Sequence, residues 1–446
     1  MGAVPLSGDI SKDAVVHRVE RSLGVRRICP WEDLPEALRT QLSGAAAAAF
    51  QPAGVVYPET QDELAEVMVL AAAEGWSLLP FGSGSKLAWG GLTQPVQLGV
   101  STARLNRVIE HAIGDLTLTA EAGTALSTLV PQLQAQRQCL GFNPAYPQQA
   151  TLGGAVATAD TGWMRQRYGG IRDMLIGVSL VRADGQRAKA GGRVVKNVAG
   201  YDLMKLMTGS WGSLAVISEV TFRVYPQSEA SKTLVIVGEA HDLDLLLAQI
   251  LKSGLTPTGL SLINSSPLSH LNHDSASHPG VLVRFQSVTI GVETQADTLI
   301  QVAEGLGLSV AIAVDEAEVA LWQRLELLRA RSPQGTGVTA KVGLLPANAI
   351  ATLKQLEAMT TVTAAITHVG SGLGWVHLDL QNIGQVAAIR QIYQQQGGFL
   401  SIMEAPANWK PNLDIWGYSG GALPLMQRIK QRFDPEGRLS PGRFLL

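Results

Sequence analysis

Pro80-Phe81-Gly82-Ser83-Gly84-Ser85-Lys86 carries the clearest chemistry in this sequence. It follows an apolar run, Trp76-Ser77-Leu78-Leu79, that reads as a strand. Two glycines alternating with two serines let a backbone fold tightly and turn several N–H groups one way. Such a concavity binds a phosphate or pyrophosphate. A plain surface turn is the competing reading of a lone stretch of this kind. Spacing excludes two nucleotide sites. A Walker A loop ends in Lys followed by Ser or Thr, and Leu87 follows the lysine here. A Rossmann fingerprint needs a third glycine opening a helix, and Leu87-Ala88-Trp89-Gly90-Gly91 supplies neither.

Two further segments are rich in glycine and small residues, as where a backbone passes close to a flat or extended ligand. They are Asn143 to Thr158, which contains Thr151-Leu152-Gly153-Gly154, and Gly162 to Asp173; a third segment, Lys196 to Leu203, precedes the run Thr208 to Glu219. A polar histidine cluster, His270-Leu271-Asn272-His273 with Asp274 and His278, has spacing that could hold a metal, but its polar setting favours a solvated loop. Arg284 and Lys341 fall on predicted strands and could meet a carboxylate, although salt-bridged or solvated strand residues are the simpler reading. Arg165, Arg167 and Arg172 could balance a pyrophosphate or meet a partner.

The elements that must position these groups read as an α+β protein. A chain of 446 residues allows two or three domains and a sizeable core. Net charge is −2, so no global field draws it to nucleic acid. Two cysteines, Cys29 and Cys139, are too few for an iron–sulfur cluster, which takes about four thiolates, and they suit a reducing cytoplasm. No signal peptide or membrane-spanning run is expected. Residues 1–46 read as a peripheral helical leader. Thr60 and Glu63 form a capping-box pair before Leu64, Val67, Met68 and Ala71 at helical spacing. Leu116, Leu118 and Ala120 alternate with Thr117, Thr119 and Glu121, as in a half-buried strand. Ala183-Asp184-Gly185-Gln186 marks a hairpin turn, and 213–224 a long strand. Pro226 closes this part, 47–226. Strands and helices then alternate through 227–424, predicting an antiparallel sheet with helices on one face. A tail, 425–446, begins as an amphipathic helix.

In their order, these motifs resemble the FAD-binding module of the vanillyl-alcohol oxidase (PCMH-type) family over about residues 50–226. The runs RYGGIRDMLIGVSLVRADG and GGRVVKNVAGYDLMKLMTGSWGSLAVISEVTFRV, with Glu404-Ala405-Pro406, Asp414-Ile415-Trp416-Gly417 and Phe433 to Arg443, are similar to the E-type subunits of bacterial glycolate oxidases (glycolate dehydrogenases). The resemblance implies a two-part FAD-binding PCMH-type domain at 47–226, a cap-like α+β domain at 227–424 and a tail returning to the FAD domain. It implies that Pro80, Phe81, Gly82, Ser83, Gly84, Ser85 and Lys86 cradle the FAD pyrophosphate. Thr151, Leu152, Gly153 and Gly154 would lie along the ribityl chain and flavin, with Ile217 on the adenine side, and Pro144, Ala157, Thr158 and Gly162 would also bind the cofactor. Some members attach the flavin through a histidine in the glycine loop. None lies between Pro80 and Gly91, so non-covalent FAD is expected. A tryptophan at Gly84 would be expected to block the pyrophosphate. The family tail ends in Asn-Pro-Gly-Arg, and Ser440 replaces that asparagine.

The implied function is an FAD-dependent oxidoreductase on CH–OH groups, a subunit passing electrons from 2-hydroxy acid oxidation to an iron–sulfur partner. A related FAD-containing catalytic subunit would complete the complex, and any membrane association would be peripheral, through that complex. A stand-alone 2-hydroxy acid dehydrogenase or oxidase, or a non-catalytic FAD-containing assembly subunit, are the alternatives. Catalytic subunits of the D-2-hydroxyacid dehydrogenase type carry GHxGDGNxH, whose histidines help hold a metal. Here His368 matches the first, Trp375 stands at the second, Ser371 and Leu373 replace the polar pair, and His377 is displaced. A strand pair with two satisfied histidines is the favoured reading, with no metal site, and no catalytic residue is assigned.

Overall fold

The computed structural model describes residues 11–47, 50–193, 200–270, 278–329 and 337–444; the side chains of 269 and 270 lie outside the description. Two parts pack together. In the first, a four-stranded sheet runs Ile28–Pro30, Gly54–Val56, Leu98–Ser101, Leu78–Phe81, the last three parallel. Beside it a five-stranded antiparallel sheet runs Val108–Ala112, Thr117–Glu121, Val216–Arg223, Leu175–Val181, Arg187–Gly191.

Local sequence explains the helix that feeds the glycine loop. Thr60 caps helix Gln61–Glu74 by accepting from the Glu63 N–H, a contact worth about 1 kcal/mol. Glu63 in turn accepts from the Glu59 N–H and ion-pairs with Arg27. Gly75 ends the helix with φ +70° and turns the chain into strand Leu78–Phe81.

The leader is less peripheral than its composition suggests. Val15, Val16 and Val19 of helix Lys12–Leu23 enter the core beside Leu64, Met68 and Trp76, and Ile28–Pro30 adds a strand to the parallel sheet. Strand Thr117–Glu121 is buried on both faces, not one. Its polar face stays satisfied because Thr119 bonds Thr221 at 3.0 Å and Glu121 accepts from Arg107 at 2.7 Å.

The second part is an eight-stranded antiparallel sheet ordered Ser309–Ala313, Ala230–Val237, Gly280–Ser287, Gly259–Ile263, Val362–His368, Leu373–Asp379, Gly337–Gly343, Phe399–Glu404. Alternation decides its two faces. Leu234, Ile236, Val283, Leu262, Val338, Ala340 and Val376 share a core with helices Ala240–Lys252, Thr289–Gly305, Ala349–Glu357 and Gly384–Gln395. The other face carries Val235, Ile263, Leu282 and Ile366, covered by helix Asp315–Arg329 and Trp163. It also carries Thr339, Lys341, His368, Trp375 and His377, turned toward the first part.

The tail crosses back. Lys430 of helix Leu423–Phe433 donates to the Ser213 carbonyl at 2.7 Å, and the Ser440 N–H donates to Leu78 at 2.9 Å.

Candidate functional site

The glycine loop leaves strand Leu78–Phe81 and lies against Thr151, the N-cap of the short helix Leu152–Thr158. A side chain on Gly82 would run into the Thr151 hydroxyl. Ser83 Oγ donates to the Gln149 carbonyl at 2.6 Å, and Ser101 Oγ donates to the Gly82 carbonyl at 2.7 Å. On the outgoing arm, Arg443 Nη2 donates to the carbonyls of Lys86, Leu87 and Trp89 at 3.2, 2.8 and 3.0 Å. Among the described residues, the backbone N–H groups of Ser83, Gly84, Ser85 and Lys86 donate to nothing. Four adjacent N–H donors without acceptors make an anion cradle.

Helix Leu152–Thr158 forms the cleft's second wall. Gly153 lets it close on Ala122, where a Cβ would stand 2.7 Å from the alanine methyl. Trp211 and Gly212, at φ +55° and +66°, wrap its C-terminal end, with the Trp211 N–H donating to the Ala157 carbonyl at 2.9 Å.

These walls enclose an open cleft of ≈ 770 Å³. Pro80 through Lys86, Thr151, Gly153, Gly154, Ala157, Thr158 and Ile217 line it. The free N–H groups at one end and the alanine and glycine wall along the rest fit a dinucleotide with a pyrophosphate. Three sequence candidates lie elsewhere. Leu152 is fully buried in the core, Pro144 is buried, and Gly162 packs on Asn143 and Arg329. Leu87, Thr102, Ala150, Trp211, Gly212, Ala215, Val216 and Arg443 line the cleft beyond the candidates. The signal for Trp211 to Val216 was present in the glycine-rich segment that contains Ile217. Arg443 carried only the tail motif Ser440-Pro441-Gly442-Arg443, and the returning tail brings it to the cleft.

Lys86 is claimed from within. Its ammonium, 8% exposed, stands 2.7 Å from Asp160, whose second oxygen lies 3.7 Å from Arg329. Burial pulls the Lys86 ammonium below its usual pKa, against the pull of Asp160. Arg329 also holds Glu326 at 2.6 Å and the Asn143 carbonyl at 2.6 Å. Burial pushes Glu326 up to about 7.

Beside the cleft, aromatic side chains fill the junction. Trp89 packs on Trp375 at 5.2 Å between ring centres and on Tyr146 at 6.1 Å. Glu404 accepts from Trp89 Nε1 at 2.9 Å and from the Tyr146 hydroxyl at 2.7 Å. His368 Nδ1 shares a proton with Ser261 at 2.9 Å, and burial drives its pKa down to about 3. His377 Nδ1 bonds Thr339 at 3.1 Å. The pairings His368↔Leu373 and Ala364↔His377 set these histidines four residues apart in register, roughly 13 Å. No group of three metal-ligating side chains occurs among the described residues. Arg284 is salt-bridged to Glu318 at 3.0 Å and lies over Trp163 and Trp322. Of the polar cluster at 270–278, residues 271–277 lie outside the described residues, and His278 faces Glu239 at the surface.

Residues 52–191 match the family described as an FAD binding domain. Glycolate oxidase subunit GlcD of Bacillus subtilis is 22% identical over 420 residues, 88% of each chain. Glycolate oxidase subunit GlcE of Escherichia coli is 36% identical over 173 residues, 38% of this chain and 49% of that one. In fold, the chain is similar to 4-ethylphenol oxidase from Gulosibacter chungangensis, with TM-score 0.76 at 15% identity over 99% of this chain and 98% of that one.

Proposed function

We propose that this chain, an FAD-dependent oxidoreductase whose residues 52–191 match an FAD binding domain, is the FAD-carrying subunit of a glycolate or related 2-hydroxy acid dehydrogenase complex. Its electrons pass to an iron–sulfur partner, and a related FAD subunit oxidises the acid. Bound FAD supplies the redox chemistry; the protein supplies position and charge. The N–H groups of Ser83 to Lys86 would hold the pyrophosphate, and Gly153, Gly154, Ala157 and Thr158 would line the space for the rest of the cofactor. Attachment is non-covalent, since the loop has no histidine. The complex works in the cytoplasm; no helix among the described residues is long and apolar enough to cross a membrane.

One observation carries the division of labour. Trp375 stands at the sequence position of a ligating histidine and packs on Trp89 with the rings tilted, while Glu404 is taken up by Trp89 and Tyr146. Side chains that bond one another are not free to serve a substrate as acid–base groups. Purified chain with extractable FAD, mixed anaerobically with glycolate or D-lactate, should show little flavin bleaching. Rapid bleaching would instead establish the second reading, direct 2-hydroxy acid oxidation on this chain, which the buried cations near Asp160 favour. A chain that stays colourless with added FAD would defeat both.

A further inference from the structure

Past the N–H cradle, the carbonyls of every residue from Lys86 to Gly90 are taken by two buried cations. Arg443 holds those of Lys86, Leu87 and Trp89. Lys410 holds the other two. Its ammonium donates to the Ala88 and Gly90 carbonyls, the second at 3.0 Å. Lys410 opens the short helical turn Lys410–Asn412 and is 6% exposed.

Lys410 belongs to the second part of the molecule and its acceptors to the first. The same arm of the loop is fixed to the second part at two more points. The Gly90 N–H donates to the Met403 carbonyl at 2.8 Å, and Trp89 Nε1 donates to Glu404 at 2.9 Å. Gly90, at φ +73°, lies so close to Trp416 that a Cβ would stand 2.9 Å from its ring. Lys86 supplies the last N–H of the cradle, and Ala88 follows two residues later, so Lys410 reaches the pyrophosphate's donors through the backbone. Three charged side chains surround the Lys410 ammonium and its acceptors. Arg443 comes from the tail and Glu404 from strand Phe399–Glu404. Lys86, 5.2 Å from the Trp89 ring centre, is answered by Asp160. The Tyr146 hydroxyl, which donates to Glu404, is the further titratable group.

We propose that Lys410 is a positioning residue for the cofactor, clasping the outgoing arm of the glycine loop so that FAD is held tightly at neutral pH and released more readily in alkaline solution. The clasp rests on the reading of this chain as an FAD carrier and on no step of substrate oxidation. Its strength comes from charge. Burial, and then Arg443, pull the Lys410 ammonium down to about 8, with Glu404 opposing. The neutral amine keeps two N–H groups, but charge-assisted bonds are roughly twice as strong. A pyrophosphate in the cradle brings negative charge to the arm and favours the ammonium. Above about 8, FAD therefore takes up a proton as it binds, and its affinity falls as pH rises. One proton limits that fall to about tenfold per pH unit.

The test is the FAD dissociation constant of the full chain between pH 7 and 9.5 at constant ionic strength. Recovery of flavin fluorescence on dilution of the FAD-loaded protein reads it. In wild type the constant should rise roughly tenfold across that range. Lys410→Arg keeps its proton, so its constant should stay level and lie within a few-fold of wild type at pH 7. Lys410→Met, or Lys410→Gln where the first does not fold, should begin roughly tenfold weaker and also stay level. A lysine that only held the fold together would weaken FAD equally at every pH when replaced. A flat wild-type profile, or a Lys410→Met or Lys410→Gln profile parallel to that of wild type, would therefore overturn the clasp while leaving FAD binding intact. A wild-type chain that binds no FAD at pH 7 would overturn the FAD reading and the clasp together.

Discussion

Arg443 Nη2 donates to the Leu87 carbonyl at 2.8 Å, binding the C-terminal tail to the outgoing arm of the glycine loop. The same nitrogen reaches the carbonyls of Lys86 and Trp89. One buried guanidinium thus orients three carbonyls behind a loop whose N–H groups face the cleft. Arg443→Met should leave those carbonyls without a donor and loosen the cradle. FAD affinity, followed by quenching of flavin fluorescence, is expected to fall by roughly tenfold or more, from about 1–3 kcal/mol of lost hydrogen bonding. Arg443→Lys should recover part of it, because a lysine keeps the charge without the fork of donors.

Gly154 and Gly84 separate two meanings of glycine in this cleft. A Cβ on Gly84, at φ +90°, would crowd Gln41 and Leu38 of helix Glu36–Gly44 and the cleft-lining Leu87. A tryptophan there would damage the packing of helix Glu36–Gly44 and strain the backbone rather than occupy the pyrophosphate's place. A Cβ on Gly154 meets only Thr151 Oγ1, at 3.0 Å, and Gly154 lines the cleft. Gly154→Leu should therefore fill cofactor space with little cost to the fold. The expected result is a colourless protein with a melting temperature near that of flavin-free wild type.

The local motifs were legible because their chemistry is local. A loop of alternating Gly and Ser, and a Thr that caps a helix of small residues, need only a few neighbours to define their shape. Leu152 shows where this stops: it sits inside the right motif but, as the first residue of its helix, it turns into the core. Arg443 and Thr102 reach the cleft only through sheet pairing and chain return, which no short window encodes. The buried valines of helix Lys12–Leu23 had helical spacing, yet the charged residues between them masked it. Trp375 is legible both ways. Its spacing from His368 is that of the histidine motif, and the strand pairing sets it diagonally across from His368 on one face.

Asp160 was hidden in a run of small residues, and its removal should be costly. Its carboxylate faces Lys86 and Arg329 and accepts the Ala145 N–H at 2.7 Å. Asp160→Asn leaves two buried cations short of a counter-charge, a loss of about 3–5 kcal/mol. Urea unfolding should show the drop as a lower midpoint. Adding Lys86→Met to Asp160→Asn should restore part of the stability, since the charge and its partner then leave together. A double variant no more stable than Asp160→Asn would show that the carboxylate acts chiefly through Arg329 or Ala145.

Glu326 should make stability depend on pH in a direction opposite to that of an ordinary salt-bridged carboxylate. Burial raises its pKa from 4.5 to about 7, with Asp160 adding to the rise and Arg329 opposing it. The folded protein therefore holds a proton here that the unfolded chain has lost throughout the interval between 4.5 and about 7. In that window the native state binds more protons, so stability falls as pH rises and levels off above the folded value. The penalty is fully present above about 7 and absent below about 4.5. Its size is on the order of 3 kcal/mol across the window. Glu326→Gln keeps an acceptor for Asn143 and Arg329 but cannot titrate. Unfolding free energies from urea titrations between pH 5 and 8 should decline in wild type, after subtraction of the Glu326→Gln curve, by most of that amount. Parallel curves for the two proteins would mean that Glu326 ionises in the folded state as it does in the unfolded one.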